Sequence, residues 1–303
     1  METQSPTLNS VINNDYYRHL FGVICKILAL SGFCILSLSF ENPESYKMDS
    51  ITQLGFLSLL GSGLLLPFVW IFFKKQLRSA NLKLYPLRAV LTIIAMLAWI
   101  EAVKAFGSTN AILVNYLSPL VTLTLASLFK AERINSNCIF LGLICYSIIA
   151  FTLRVEIAIS SYGFIVAIIS TILWSTYEVI CKQQVHTEHY VVQAFYTFLF
   201  AGLFLLPFYY QNIPNLINSD NLISFAGMSI LRIFNVLLLF LAIQVSTLNW
   251  LAPVSYLKFG LIAYWSYMLQ GTVPKTEHII TVILLVTINI IALRLRLKAR
   301  TSS

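Results

Sequence analysis

Charged side chains are scarce in this chain. Asp, Glu, Lys and Arg together supply 11% of its 303 residues, whereas hydrophobic residues supply 58%. The mean hydropathy is correspondingly high, at +0.80. An ordinary soluble domain has about 25% charged residues, so the composition excludes that class. The chain is therefore predicted to be an integral membrane protein.

Cysteine and histidine are also scarce, and their placement excludes several kinds of chemistry. The five cysteines lie within or at the ends of apolar runs without the paired loop spacing of a disulfide or metal motif, which indicates a packing role. Neither HExxH nor GxSxG occurs. We therefore expect no catalytic residue, no metal and no cofactor. The residues concerned are Cys25, Cys34, Cys138, Cys145 and Cys181, with His19, His186, His189 and His278 near the ends of apolar runs.

Long apolar runs, by contrast, nearly fill the chain. A helix needs about 20 apolar residues to cross the hydrocarbon core, and such continuous runs are not typical of a membrane barrel of short alternating strands. The first 14 residues carry no Lys or Arg, so we expect the first run to stay as a helix and not to be cleaved as a signal peptide. Ten spans are predicted: Arg18–Phe40, Ile51–Phe73, Tyr85–Phe106, Asn110–Phe129, Asn137–Val155, Ser161–Lys182, Tyr190–Tyr210, Leu222–Gln244, Thr247–Gln270 and His278–Leu297.

Basic residues alternate between the predicted loops. They concentrate after the second span (Lys74 to Lys83), after the fourth (Lys130 and Arg133) and in the tail (Arg294 to Arg300). The loop after the first span instead holds three acids and one base, and QNIPNLINS after the seventh is uncharged. Because Lys and Arg mark cytoplasmic loops, both termini are predicted to be cytoplasmic. The formal net charge of +8 then reflects orientation, and no nucleic-acid partner is expected.

One stretch of the sequence occurs twice. LLGSGLLLPFVW (Leu59–Trp70) returns as LFAGLFLLPFYY (Leu199–Tyr210), offset by 140 residues, and LRAV at Leu87 returns as LRIF at Leu231. The long copies lie in the second and seventh spans, and an odd separation of five spans turns the second copy upside down. We therefore predict an all-α membrane protein of two inverted five-helix repeats, residues 1–156 and 157–303. Inverted repeats are a common construction of secondary transporters.

The same segments carry a family resemblance. Residues 87–132, from LRAVLTII to SLFKAE, and residues 252–269, APVSYLKFGLIAYWSYML, resemble the drug/metabolite transporter superfamily, EamA-type, in a likeness that covers nearly the whole chain. Within it, WSTYEVICKQ in the sixth span and LRA in the third are similar to bacterial S-adenosylmethionine uptake transporters. The resemblance implies a ten-helix bundle in a bacterial inner membrane, with a cavity near the midplane that opens alternately to each side, usually without ATP.

Ionisable residues inside the predicted spans are candidates for the substrate site, because a charge in the bilayer is costly unless it is paired or faces water. We expect the two acids to engage a substrate ammonium or a coupling proton, the two cations to hold a carboxylate, and the remaining residues to orient the ligand. Trp99, Tyr116, Trp174 and Tyr256 could stack on it. The predicted substrate-binding residues are Glu101, Asn115, Tyr116, Glu178, Arg232, Tyr256 and Lys258.

The spacing leaves an alternative open. Glu101 with Lys104, and Glu178 with Lys182, are separated by one helical turn and could be intrahelical ion pairs. Three cations of the spans lie near enough to helix ends for their charged groups to reach the membrane interface: Lys26, Arg88 and Lys182. In addition, Pro119 and Pro253 predict a bent fourth and a bent ninth span at the cavity.

Two departures from the S-adenosylmethionine carriers affect the substrate. Ser255 and Lys258 stand where those carriers have an arginine and a glutamate, and the first span lacks the expected acid. Counting Glu101 and Glu178 against Lys104, Arg232 and Lys258, the cavity is predicted to be net positive, which suits a zwitterionic or anionic metabolite and disfavours a bare cation. The expected partners are this small molecule and the lipid bilayer, and a homodimer is left open. A membrane receptor or structural protein is the alternative function, although neither accounts for an inverted repeat.

Overall fold

The computed structural model describes residues 8–40, 50–79, 82–106, 108–153, 162–184, 188–213 and 222–301. Within these ranges the chain forms α-helices, short 3-10 turns and no β-strand. The helices are α1 (Leu8–Phe40), α2 (Ser50–Ser79), α3 (Leu84–Phe106), α4 (Ser108–Asn115), α5 (Ser118–Leu128), α6 (Ser136–Leu153), α7 (Tyr162–Gln184), α8 (Tyr190–Tyr209), α9 (Leu222–Val245), α10 (Leu248–Val254), α11 (Lys258–Gln270) and α12 (Thr276–Thr301).

Seven helical stretches of the described chain are long and apolar enough to cross a membrane. They belong to α1, α2, α3, α4 with α5, α7, α8 and α9, and shorter apolar stretches lie in α6 (136–152) and α12 (276–291). The predicted ninth span is divided between α10 and α11. The structure thus confirms an all-helical membrane protein, while the count of ten spans stays a prediction. The predicted boundary at residues 156 and 157 lies outside the described residues.

The main contacts between helices relate the two halves of the chain symmetrically. The most extensive contacts join α2 to α8, α3 to α7 and α1 to α9. In each of these three contacts, a helix of the first half packs on a helix of the second half. Exchanging the halves leaves the pattern unchanged, because the first helix of either half contacts the third helix of the other. This pattern is what a pseudo-twofold axis between the repeats requires.

The two copies of the repeated stretch lie directly against each other. A Cβ built on Gly55 near the start of α2 would meet Tyr209 at the end of α8, and one on Gly202 would lie 3.0 Å from the backbone nitrogen of Leu59. The two helices therefore run antiparallel, which confirms the inverted relation predicted for this stretch. Small residues allow the backbones to approach closely where lipid provides no hydrophobic driving force.

The fourth and ninth spans, in which Pro119 and Pro253 predict bends, are both interrupted. The chain leaves the α-helix between Asn115 and Ser118, one residue before Pro119, and again in a 3-10 turn over Ser255–Leu257, after Pro253. A proline cannot donate to the carbonyl four residues earlier. For Pro253 that carbonyl belongs to Asn249, and the Cys138 thiol donates to it at 3.7 Å. The predicted bends are thus breaks, and Cys138 has a local structural role. All five cysteines are buried in the helical bundle, which agrees with the packing role that the sequence indicates.

Candidate substrate cavity

A cavity of about 130 Å³ lies where the two halves meet. α1, α3, α7, α8 and α9 contribute its walls, and the breaks in the two interrupted spans contribute further residues. Its polar lining includes the side chains Lys26, Ser37, Asn115, Ser118, Ser170, Glu178, Thr197, Arg232, Asn235, Ser255 and Lys258. A polar, partly charged cavity inside an apolar bundle is the default candidate for a ligand site.

An ion pair between α1 and α7 forms part of the cavity wall. Lys26 Nζ lies 2.9 Å from Glu178 Oε1, and the two side chains are only 5% and 11% exposed. The Thr122 hydroxyl is 3.5 Å from the other carboxylate oxygen of Glu178. Glu178 therefore lies in the cavity as predicted, but its partner is Lys26 and not Lys182. The prediction that Lys26 reaches the interface is wrong, because α1 presents this side chain to the bundle interior.

Lys258 lies where the two interrupted spans meet. Its Nζ donates a hydrogen bond to the Asn115 carboxamide oxygen at the end of α4. The ammonium also lies over the rings of Phe33 and Tyr116, at 5.5 and 5.1 Å from their centroids. Among the residues that the structure describes, no carboxylate is within 4.0 Å of this ammonium. The structure thus brings Lys258 and Asn115 together in the cavity, as predicted.

Arg232 on α9 is a second cation without a carboxylate partner in the described chain. Its guanidinium donates to Ser58 Oγ at 3.1 Å and, at 3.4 Å, to the Leu54 carbonyl, and it lies 5.4 Å from the centre of the Phe198 ring. Asn235, one turn further along α9, also lines the cavity. Both side chains provide hydrogen-bond donors at this wall.

The cavity carries an excess of positive charge. Among the described residues that line it, Lys26, Arg232 and Lys258 are the cations and Glu178 is the single carboxylate. Three cations and one anion leave a formal charge of +2. The predicted net positive sign therefore stands, but the residues that produce it differ from those predicted, because Lys26 replaces Glu101 and Lys104. Such a field attracts anions and raises the energy of a bare cation.

Aromatic side chains complete the wall. Trp99, Trp174, Phe33 and Tyr177 line the cavity. The Trp174 ring lies 5.6 Å from that of Tyr177 and 6.4 Å from that of Phe33. Of the four aromatic residues that the sequence suggested for stacking, only the two tryptophans are therefore placed where a planar or cationic group of a ligand could contact them.

Three predicted residues do not line this cavity. Tyr116 and Tyr256 are almost completely buried within a neighbouring apolar cluster, and Tyr116 contacts the site only by supporting Lys258. Glu101 is half-exposed and pairs with Lys104 at 3.1 Å. The residues of α3 that line the cavity recur at Thr92, Ala95, Met96 and Trp99. Glu101 lies off this helical stripe, so the intrahelical pair left open by the sequence is the observed arrangement.

Several site residues escaped the sequence reasoning. Lys26, Asn235 and Ser37 line the cavity, although none was among the predicted binding residues. For Lys26 a signal existed, since it lies more than two turns inside the first predicted span, too deep for an ordinary interfacial lysine. The neutral side chains Asn235 and Ser37 gave no comparable signal.

Polar contacts hold the helices together at the end of the bundle that carries the basic loops. We call it the basic end: it contains the end of α7, the start of α8 and the junction of α9 with α10. Lys182 donates to the carbonyls of Ile243 and Ser246 at 2.9 and 2.6 Å, and Glu132 accepts from the backbone nitrogen of Leu248 at 2.8 Å. Lys182 is buried, so the prediction that it reaches the interface is wrong.

Arg88 is also buried at this end, contrary to the prediction that it reaches the interface. It donates to the carboxamide oxygens of Gln184 and Gln193, at 2.5 and 3.1 Å. The rings of Tyr85 and Phe240 lie 5.4 and 5.0 Å from its guanidinium carbon. This arrangement ties α3, α7 and α8 together, so Arg88 is a structural cation of the basic end.

Comparison with known proteins agrees with this architecture. The EamA-like transporter family matches the chain twice, over residues 21–154 and 161–293. A solved structure described as "Crystal structure of protein" superimposes with a TM-score of 0.71 at 16% sequence identity, covering 95% of this chain and 99% of that one. At this identity the likeness shows the fold alone. No protein with a curated description matches the chain.

Proposed function

Because the chain belongs to the EamA-like transporter family, we propose that it carries a small polar metabolite bearing an acid group across a membrane by alternating access. The family suggests a transporter of small molecules, and the cavity between the repeats supplies a place for one. Inverted repeats allow the cavity to open to either side by exchanging the conformations of the two halves. No cofactor enters this proposal.

The observation that carries the substrate class is the pair of cations without carboxylate partners. Within the described residues, Lys258 is held by an amide oxygen and two ring faces, and Arg232 by a hydroxyl, a carbonyl and one ring face. Neither set of contacts neutralises the charge. An acid group entering the cavity does so with charge-assisted hydrogen bonds, which are the strong ones. We therefore place the substrate carboxylate, or an equivalent anion, between these two residues.

The finer hypothesis from the sequence is S-adenosylmethionine uptake. This molecule has a carboxylate for Lys258, an ammonium for Glu178 and a planar adenine for the tryptophans of the cavity. Its sulfonium is the group that suits the site least, since the cavity has a formal charge of +2. Amino acids and other zwitterionic or anionic metabolites are the alternative, and the charge count favours them.

Orientation and conformational state complete the proposal. We place the protein in a bacterial inner membrane with the basic end and both termini in the cytoplasm, following the distribution of Lys and Arg. The contacts of Lys182 and Glu132 close the basic end. The structure then corresponds to the state in which the cavity is shut from the cytoplasm, and the breaks at Ser118 and Ser255 are where the helices bend during the exchange.

Uptake into cells tests this proposal. Labelled S-adenosylmethionine, glutamate, succinate and glucose are offered to cells that express the protein and to cells that do not. We expect saturable uptake of at least one of the three acids, no uptake of glucose, and loss of uptake in Lys258→Met and Arg232→Gln. Glu101→Gln, which lies off the cavity, is the matched control for expression and insertion. Uptake of glucose alone, or equal uptake by all variants, would refute the assigned substrate class.

A further inference from the structure

A second, much smaller cavity lies beside the first. Its volume is about 10 Å³, close to the minimum for a single water molecule. Lys26, Glu178 and Ser255 line both cavities. The remaining walls of the small cavity are Pro119, Thr122, Ile243, Leu248, Leu251 and Ala252. The Lys26–Glu178 ion pair is therefore a wall that two cavities share.

The small cavity lies between this ion pair and the basic end. Ile243 and Leu248 flank the α9–α10 junction, where Lys182 and Glu132 make their contacts. Pro119, Ala252 and Ser255 belong to the two interrupted spans. A ligand that travels from the large cavity through the small one toward the basic end passes the ion pair, and the interrupted spans flank that route.

We propose that the Lys26–Glu178 pair is the partition between the substrate cavity and the path to the basic end, and that the acid group of the substrate opens it by binding Lys26. The proposal rests on the proposed function, because it takes the substrate to be an acid. The pair faces the large cavity, so an incoming carboxylate can reach the same ammonium that Glu178 holds at 2.9 Å. Lys26 then keeps an anionic partner throughout the exchange.

The released Glu178 also needs a positive partner, because the Thr122 hydroxyl, 3.5 Å from Oε2, can donate a hydrogen bond but cannot neutralise a buried carboxylate. The ammonium of a zwitterionic substrate supplies that partner. A neutral ligand cannot replace Glu178 on Lys26, because the ammonium would then be left without an anion in a buried site. The partition therefore discriminates in favour of acids, and Lys26 is a specificity-determining residue that follows Lys258 and Arg232 along the path.

Cysteine labelling tests the partition without any knowledge of the substrate. Ala252→Cys places a thiol in the small cavity, and Ser37→Cys places one in the large cavity, about 16 Å from Lys26 along α1. Each is made in the otherwise unchanged protein and in Lys26→Met/Glu178→Gln, which removes both charges and so leaves neither unpaired. A charged, membrane-impermeant thiol reagent is added from the side on which the position 37 thiol reacts. The parent protein, whose five cysteines are buried, gives the background.

We expect the position 252 thiol to be protected while the pair is intact and to react at least about tenfold faster when both charges are gone, since a charge-assisted bond holds the wall closed. The position 37 thiol should react equally in both backgrounds. Equal protection, or equal reactivity, of the position 252 thiol in the two backgrounds would overturn the partition. A thermal melt of each purified variant checks that the fold is kept.

Uptake separates failure of this inference from failure of the proposed function. With the pair intact, we expect glutamate or S-adenosylmethionine, whichever is taken up, to increase labelling at position 252, and we expect the neutral double variant to lose uptake of it at least about tenfold. If the double variant takes up the acid as well as the unmodified protein does, the inference is wrong and the proposed function stands. If the unmodified protein takes up no acid while the double variant exposes position 252, the proposed function and the acid-opening step fail and the partition stands.

Discussion

Replacing Lys258 by methionine should abolish transport while leaving the fold intact. Lys258 is 8% exposed, and its ammonium contacts the Asn115 amide oxygen and two aromatic rings, without a carboxylate in the described chain. Methionine has a similar length and no charge. The substitution therefore removes the cation that we assign to the substrate's acid group and keeps most of the side-chain volume.

The magnitudes for binding and for stability differ. A hydrogen bond to a charged group contributes about 1.5–3 kcal/mol, so we expect the affinity for an acidic substrate to fall by roughly 10- to 150-fold. For folding, the lost amide and ring contacts are offset by removal of an uncompensated buried charge. We therefore expect the free energy of unfolding to fall by no more than about 1 kcal/mol.

The assay measures equilibrium binding and thermal unfolding on the same purified protein in detergent. Lys182→Met is the matched control, because Lys182 lies outside the cavity and holds the Ile243 and Ser246 carbonyls. That variant should lose about 2 kcal/mol or more of stability, and its affinity for the acid should change little where it remains folded. If Lys258→Met unfolds as readily as Lys182→Met, or if it binds the acid normally, Lys258 is a structural cation and the assignment is wrong.

Three further predictions follow from particular contacts. Lys26→Met alone should destabilise the protein by about 3–5 kcal/mol because it leaves Glu178 buried without its counter-charge, and adding Glu178→Gln should restore most of the loss in a thermal melt; a double variant no more stable than the single one would contradict this. Glu101→Gln should leave uptake unchanged and the free energy of unfolding within about 1 kcal/mol of the parent, because its ion pair is half-exposed. A loss of uptake would show that Glu101 belongs to the substrate site. Gly202→Leu should lower the abundance of folded protein by overpacking against α2, at a cost of about 1–3 kcal/mol or more, whereas Gly63→Leu in the other copy of the repeated stretch should be neutral because nothing lies within 4 Å of its Cβ position.

The sequence was sufficient for features that depend on composition and periodicity. The apolar runs predicted the helices, and the repeated stretch predicted that α2 and α8 run in opposite directions, although not that they contact each other. Pro119 and Pro253 predicted the two irregular spans, whereas Pro67 and Pro207 lie inside α2 and α8, which continue past them. A missing backbone N–H therefore permits an irregular turn without requiring one, and the outcome at each proline depends on packing that the sequence does not show.

Charged partners could not be predicted in the same way. Spacing along a helix reveals neighbours on that helix, so it identified the pair of Glu101 with Lys104. It gives no information on a contact between helices that are far apart in the chain, and Glu178 pairs with a lysine 152 residues away. The same limit explains why Glu101 was expected in the cavity: its depth in a span was readable, but the direction in which α3 presents it depends on packing against α7.

The fold is nearly symmetric, whereas the buried charges are not. Transport needs the symmetry of the backbone as well as the asymmetry of the charges. The family match begins at residues 21 and 161, so the fourth and ninth spans occupy equivalent places in the two repeats. The ninth span contributes the cation Lys258, and the fourth contributes the Asn115 amide that accepts its hydrogen bond. A second lysine in place of Asn115 would bring two ammonium groups together, and their repulsion in a buried site would be costly. Backbone symmetry provides two states of similar energy, whereas a single cation contacting the amide of the other repeat gives the shared cavity one defined place for an acid.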